Sequence, residues 1–232
     1  MIQIRKSNER GHADHGWLNS YHTFSFADYY DPRYVGFRSL RVINEDRVAP
    51  GQGFGAHGHR DMEILSYVLS GSLAHKDNMG HKEVLGPNEI QRMSAGKGIV
   101  HSEFNPSEAE PVHFFQIWIE PATTGTPSSY EQIRFDPEEK SRKLKLLAGP
   151  EGGSGIAKIN QDAKVFVSEL SKGDNLSYEL GTHRYAWLHV IRGAATVNGM
   201  LLRSGDAAGI SDEQRLSLTG AEPAEILLFD LA

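Results

Sequence analysis

The 232-residue chain contains no cysteine. That absence excludes a disulfide framework and any thiolate metal site. It leaves imidazole and carboxylate as the metal-capable groups, with methionine a weak outsider. It also fits a reducing compartment. No apolar run approaches the roughly 20 residues that a membrane helix needs. The first dozen residues, Met1 to His12, hold no apolar core of the signal-peptide kind. The expectation is a soluble, cytoplasmic protein with no membrane partner. Basic charge is not in excess either: 24 Lys and Arg face 30 Asp and Glu, a net charge of −6. A broad basic face for direct nucleic-acid binding is therefore not expected. The short basic stretch Lys140–Lys145 follows Asp136, Glu138 and Glu139, and reads as a solvated surface of mixed charge.

Glycine is plentiful, at 24 residues, and the apolar runs are short. Leu40–Ile43, Ile64–Leu69, His113–Ile119, Val165–Leu170, Trp187–Ile191 and Ile226–Leu231 are rich in Val, Ile, Phe, Leu and Trp. Turn signals such as Pro50-Gly51, Ser70-Gly71, Gly86-Pro87-Asn88, Asn198-Gly199 and Ser204-Gly205-Asp206 separate many of them. Short strands at such spacings predict an all-β fold of the sandwich, barrel or jelly-roll kind with little helix. Pro137–Lys143 is the one stretch expected to make a helical turn or two. The chain also repeats itself. Tyr67-Val68-Leu69-Ser70-Gly71-Ser72 parallels His189-Val190-Ile191-Arg192-Gly193-Ala194, and a Gly-containing turn followed by a strand-like run comes after each. Two similar barrels are expected, residues 1–125 and 126–232, joined in the polar stretch Pro121–Ser129.

Two short segments carry the chemistry. His57-Gly58-His59 and His101-Ser102-Glu103 each hold two metal-capable side chains two residues apart. On a strand, such residues share a face, about 6.6 Å apart. Two such strands facing each other can bring three imidazoles and a carboxylate to one ion and leave coordination positions open, as a catalytic metal requires. Counted back from Gly193, the places of His57 and His59 in the second copy are Glu179 and Gly181. The metal site is therefore expected in the first half, with the second half as buttress, and His183 and His189 as structural residues. His22 is expected to pack or support the site. His12, His15, His75 and His81 are expected at the surface. His113 is expected outside the site, and Phe24, Phe26, Phe114, Phe115 and Trp118 in the core, some of them lining a pocket.

The frames Gly51-x5-His57-x-His59-x3-Glu63 and Gly98-x2-His101-x3-Asn105 are close to the two short motifs of the cupin superfamily. With Tyr21–Pro32, Arg60-Asp61-Met62-Glu63 and Met93–Glu103, the chain resembles the pirin family over nearly its whole length, and in particular its bacterial quercetin 2,3-dioxygenase-like members. The resemblance implies a bicupin: two antiparallel β-barrels with one metal in the N-terminal barrel. It implies His57, His59, His101 and Glu103 as the ligands. Glu63, four residues after the second histidine, holds the carboxylate role in ordinary cupins. It would lie about 13 Å beyond His59 along an uninterrupted strand, so Glu103 is preferred. Two departures stand out. Gly58 replaces a proline common among relatives, which suggests a looser loop, and Gly96 stands where the second motif usually has proline.

The implied activity is a metal-dependent dioxygenase that opens the heterocyclic ring of flavonols such as quercetin with O₂ and releases carbon monoxide. Glu103 would serve as general base. One divalent transition metal is implied, with iron the leading candidate and Mn, Co, Ni, Cu or Zn compatible with the donors. The substrate would be a flavonol-like aromatic molecule, and the protein a monomer. The alternative is a non-enzymatic regulator that binds a protein partner through a metal-dependent surface. A sugar-isomerase-like cupin is a third reading. It would want a cluster of Arg or Lys over the metal, and only Arg60, Arg92 and Lys97 are near in sequence.

Overall fold

A computed structural model describes residues 1–232. The chain opens with strand β1 (Ile2–Arg5). Then come β2 (Gly11–Asp14), β3 (Leu18–His22), β4 (Leu40–Val48), β5 (Gly53–His59), β6 (Glu63–Ser70), β7 (Leu73–Asp77), β8 (Lys82–Leu85), β9 (Glu89–Ser94), β10 (Ile99–Phe104), β11 (Val112–Ile119) and β12 (Ser129–Arg134). The second half holds β13 (Lys145–Gly149), β14 (Ala157–Lys158), β15 (Ala163–Leu170), β16 (Asn175–Glu179), β17 (Tyr185–Arg192), β18 (Ala194–Val197), β19 (Met200–Arg203), β20 (Ala207–Ile210), β21 (Arg215–Gly220) and β22 (Ala224–Leu231). Helix is confined to two single 3₁₀ turns, Ser7–Glu9 and Pro137–Glu139. The second begins where the Asp136 side chain accepts the Glu138 N–H, inside the stretch expected to turn. No helix is long and apolar enough to cross a membrane.

The chain forms two compact units. One comprises Gly11–Phe135 with Glu151–Gln161, and the other Met1–Arg10, Asp136–Pro150 and Asp162–Ala232. These bounds differ from a join at 125–126. The stretch after Pro121 returns to the first unit as β12, which pairs with β9 from Ser129↔Ser94 to Arg134↔Glu89. The first strand belongs to the other unit, because Ile2–Arg5 pairs with Ala207–Ile210. Neither pairing leaves a local mark on the sequence.

In the first unit a large antiparallel sheet runs in the order β12-β9-β6-β11-β4-β3-β2, and a small one runs β5-β10-β7-β8. The central strands β6 and β11 are buried along nearly their whole length, which explains why they are largely apolar on both faces, with Ser66 and Gln116 as buried polar interruptions. The small sheet alternates instead. In β10, Ile99, His101 and Glu103 are buried while Val100 and Phe104 face out. The apolar core between the sheets gathers Leu18, Val48, Val68, Leu73, Val112 and Phe114, with a second cluster of Ile64, Met93, Ala95 and Ile99. The second unit repeats the plan. Its large sheet runs β1-β20-β17-β22-β15-β13 and its small one β16-β21-β18-β19. Gly71 and Gly193, matched in the repeat, both take a left-handed φ, at 73° and 69°. A side chain on either would run into backbone, at Pro111 O and Pro223 O respectively.

Candidate metal centre

β5 and β10 lie antiparallel with His57 directly opposite His101. His57 and His59 share a face of β5, on the same side of the sheet as His101 of β10. The three imidazole centroids are 4.8, 4.5 and 4.9 Å apart for the pairs 57–59, 57–101 and 59–101, at tilted or edge-on angles. One ligand atom from each ring lies within 4.8 Å of the others. The tautomer of His57 follows from its neighbour. Its Nδ1 faces the Gly55 carbonyl at 2.8 Å, and a carbonyl only accepts, so the proton is on Nδ1 and the lone pair on Nε2. His59 Nε2 and His101 Nε2 are buried with no hydrogen-bond partner. Burial, with His57 beside it, pulls the His59 pKa down to about 4. Burial, with His57 and His59 adjacent, takes His101 down to about 3. Buried lone pairs on neutral imidazoles, converging and unsatisfied, fit a divalent metal ion, which would use the electron pairs that no protein donor meets.

Glu103 follows His101 past a shift of register, since it pairs with Phe54 of β5 rather than with the next residue in line. It is buried. Gln116 Nε2 donates to Oε2 at 2.8 Å, and Ser66 Oγ donates to Oε1 at 3.4 Å. Burial outweighs both bonds and raises its pKa to about 7. Glu103 and His101 form a second group of close ligand atoms, and the third member is His75. Glu63 is in neither group. It accepts from Ser94 Oγ at 2.6 Å, with the Arg92 charge nearby.

His75 overturns an expectation. It is buried, not exposed, because β7 continues through Asp77 before the chain turns, so Leu73, His75 and Asp77 all face inward. The alternation with Ala74 and Lys76 was the signal, and the adjacent Asn78-Met79-Gly80 turn obscured it. His81 is half-buried and bonds Asp77, whereas His12 and His15 are exposed, as expected. His22 is buried edge-on against Phe26. His113 donates to Glu45 at 3.0 Å, away from the ligand groups. Phe24, Phe114 and Phe115 are core residues, while Phe26 and Trp118 are half-buried.

Both departures from the motif have a structural reading. Gly58 lies within β5, not in a loop, and a side chain there would meet only ordinary contacts. Gly96 has φ of +44° and a Cβ would lie 2.1 Å from Thr126 O, so proline cannot stand there.

A cavity of about 360 Å³ is lined in part by His22, Phe26, Asn44, Asp46, Phe54 and Gln116, and by none of the three imidazoles or Glu103. Gln116 connects it to the centre. Its amide nitrogen holds Glu103, and its oxygen accepts from Trp118 Nε1 at 3.2 Å. Trp118 in turn stands edge-on to His59. Asp46 is raised to about 7 by burial, opposed by a hydrogen bond from Ser20 and reinforced by the charge of Glu103.

Residues 3–119 match the family model Pirin, and residues 146–231 match the model of the quercetinase C-terminal cupin domain. The quercetin 2,3-dioxygenase of Escherichia coli K12 is 48% identical over 231 residues, spanning 100% of this chain and 99% of its own. A pirin-like protein of Caulobacter vibrioides is 42% identical over 233 residues, with 100% of each chain covered. The crystal structure of the E. coli bacterial pirin YhhW in complex with nickel(II) superposes with a TM-score of 0.95 at 47% identity, covering 100% of this chain and 99% of that one. The chain, an all-β bicupin, belongs to the pirin family.

Proposed function

We propose that this protein is a metal-dependent dioxygenase that opens the heterocyclic ring of flavonols such as quercetin with O₂, yielding carbon monoxide and a depside. The observation that carries the reading is the convergence of three imidazoles, two with buried unmet lone pairs, close to a buried carboxyl near pKa 7. The quercetin 2,3-dioxygenase name of the E. coli relative supports it. His57, His59, His101 and Glu103 would hold the ion. Iron is our reading of the native metal; the donors suit nickel equally, the ion bound in the E. coli structure. The metal, when bound, supplies Lewis acidity toward the flavonol 3-hydroxyl and its reaction with O₂.

The chain's own residues do the rest. Glu103 takes the 3-hydroxyl proton, and a carboxyl near pKa 7 is matched to that task at neutral pH. Oε2 is held by the Gln116 amide, so the less firmly bonded Oε1 is the proton acceptor. Phe26 and Phe54 give the cavity flat apolar walls suited to an aromatic substrate, and Asn44 and Asp46 give it polar groups for ring hydroxyls. Trp118 packs edge-on against His59 and holds its ring in place. The protein would act as a cytoplasmic monomer on a small molecule.

The test is metal analysis of the purified protein, then mixing with quercetin with and without O₂. Oxygen-dependent loss of the flavonol band with release of carbon monoxide is expected. Glu103→Gln should lower turnover per bound metal by roughly 10²–10⁴-fold, the range for loss of a general base. Wild-type protein inert across Fe, Mn, Co, Ni and Cu reconstitutions would favour a regulator that binds a protein partner.

A further inference from the structure

Behind His101 lies a buried chain of polar groups that flavonol chemistry does not use. His101 Nδ1 faces His75 Nδ1 at 3.4 Å. His75 Nε2 faces Asp77 Oδ2 at 3.2 Å. His75, Asp77 and His101 are all buried. The direction of the chain follows from donor counting. An ionised carboxylate only accepts, so His75 carries its proton on Nε2 and gives it to Asp77. A neutral imidazole carries one N–H, and His75 spends its own on Asp77. Its Nδ1 is then a bare acceptor, so the proton between the two rings belongs to His101 Nδ1. His101 Nε2 is left with its lone pair, and that atom is the buried nitrogen with no partner in the protein.

We infer that His75 and Asp77 are positioning residues that fix His101 in the tautomer and orientation able to bind metal, with the Asp77 carboxylate setting the direction of both bonds. The inference rests on the metal reading above. His75 is not itself a ligand, because both of its nitrogens are committed. The surroundings hold the chain in place. β7 pairs with β10 so that His101 lies opposite Asp77 and Glu103 opposite His75. The rings of His75 and His81 both stack on Tyr130, with centroids at 4.9 and 4.6 Å. The Tyr130 hydroxyl is held by Gln91 and Gln132. Asp77 Oδ1 accepts the backbone N–H groups of Met79 and His81 at 2.9 and 3.1 Å.

Those last two bonds make a near-isosteric test. In Asp77→Asn the amide oxygen is held at the Oδ1 position by the two N–H donors, and the NH₂ group occupies the place of Oδ2. The NH₂ then faces His75 Nε2 and His81 Nδ1, both of which bond Oδ2 in wild type, and donates one N–H to each, so the His75 proton moves to Nδ1. His101 must then accept at Nδ1 and carry its proton on Nε2, the metal-facing atom. Long-range proton–nitrogen NMR of metal-free, histidine-labelled full-length protein reads the tautomers directly, and nickel(II) affinity by chelator competition reads the consequence. In wild type, His101 is expected as the Nδ1–H form and His75 as the Nε2–H form. In Asp77→Asn both should reverse, and nickel affinity should fall about 10–100-fold, the usual effect of losing such outer support. His101 found as Nε2–H in the wild-type apoprotein overturns the inference, and needs no variant to fold. So does a folded Asp77→Asn with wild-type affinity. Failure of the wild type to bind nickel would instead sink the metal reading, while the tautomer spectra still decide this one.

Discussion

Metal affinity should carry the signature of one buried carboxyl. The metal-free protein holds Glu103 near pKa 7, up from the ordinary 4.5, because burial penalises the charged form more than Gln116 and Ser66 favour it. The sign follows directly. The proton is retained up to about pH 7, and a cation that needs the carboxylate must displace it below that pH. Proton competition weakens binding by a factor of 1 + 10^(pKa − pH), about 100-fold at pH 5, about 10-fold at pH 6 and almost nothing at pH 8. The comparison is wild type against Glu103→Gln, in which every contribution the two proteins share cancels. Nickel(II) affinities measured by chelator competition from pH 5 to 8 should give a ratio of wild type to variant that rises about tenfold per pH unit to about pH 7 and then levels. A ratio near one throughout would remove Glu103 from the ligand set. A large ratio already flat from pH 5 would keep Glu103 on the metal but refute the burial argument for its pKa.

Three further outcomes are expected. Gln116→Leu removes the amide donor that lowers the Glu103 pKa, so the levelling point of that pH series should move above 7; an unmoved or lower point would refute the role given to Gln116. Gly193→Ala should destabilise the protein by about 1–3 kcal/mol through backbone strain, and more than Gly173→Ala, since a Cβ at 193 would sit 1.8 Å from Pro223 O while one at 173 meets open space; equal melting temperatures would contradict this. Lys140→Met leaves buried Glu225 without the ammonium at 2.8 Å, and denaturant unfolding should report a loss of about 3 kcal/mol. The low end of the range applies because Arg192 still reaches Glu225 at 3.0 Å; a loss below about 1 kcal/mol would show the pair to be dispensable.

The legible features of the sequence were those that repeat at short range. The two-residue spacing within His57–His59 and within His101–Glu103 follows from the pleat, and the pleat is set residue by residue. The apolar runs of β6, β11, β15 and β22 are likewise local. His75 reads as exposed beside the Asn78-Met79-Gly80 turn signal, yet the alternation through Leu73, His75 and Asp77 turns it inward. The places of β1 and β12 are illegible for a different reason. Their partners are β20 and β9, some 200 and 40 residues away in the chain, and strand pairing at that distance depends on the core that forms around it, not on neighbouring residues. The bulge between His101 and Glu103 was equally invisible, because a shift of register belongs to two strands at once.

That bulge shows how one fold serves two ends within one chain. β10 lies between β5, which brings His57 and His59, and β7, which brings His75 and Asp77. The extra residue lies on β5, where Ala56 and Gly55 stand between His57 and Phe54, while β10 stays regular against β7, so Glu103 keeps the inward face of His101 and His75 stays opposite it. In the second unit the corresponding order is β16-β21-β18-β19. There the buried positions of the strand matching β10 are Leu216, Leu218 and Gly220, with Ala195 and Val197 on its neighbour β18. The same inward positions that hold imidazoles and carboxyls in one unit hold aliphatic side chains in the other. Burying His75, Asp77, His101 and Glu103 costs desolvation that hydrogen bonds only partly offset, and the raised and lowered pKa values record the remainder. The aliphatic set carries no such cost, and it joins the apolar cluster with Leu188, Ile226 and Leu228. The two units thus contrast on the inward faces of these strands, polar in one and aliphatic in the other, while the small-sheet order and the two matched glycine turns are kept in common.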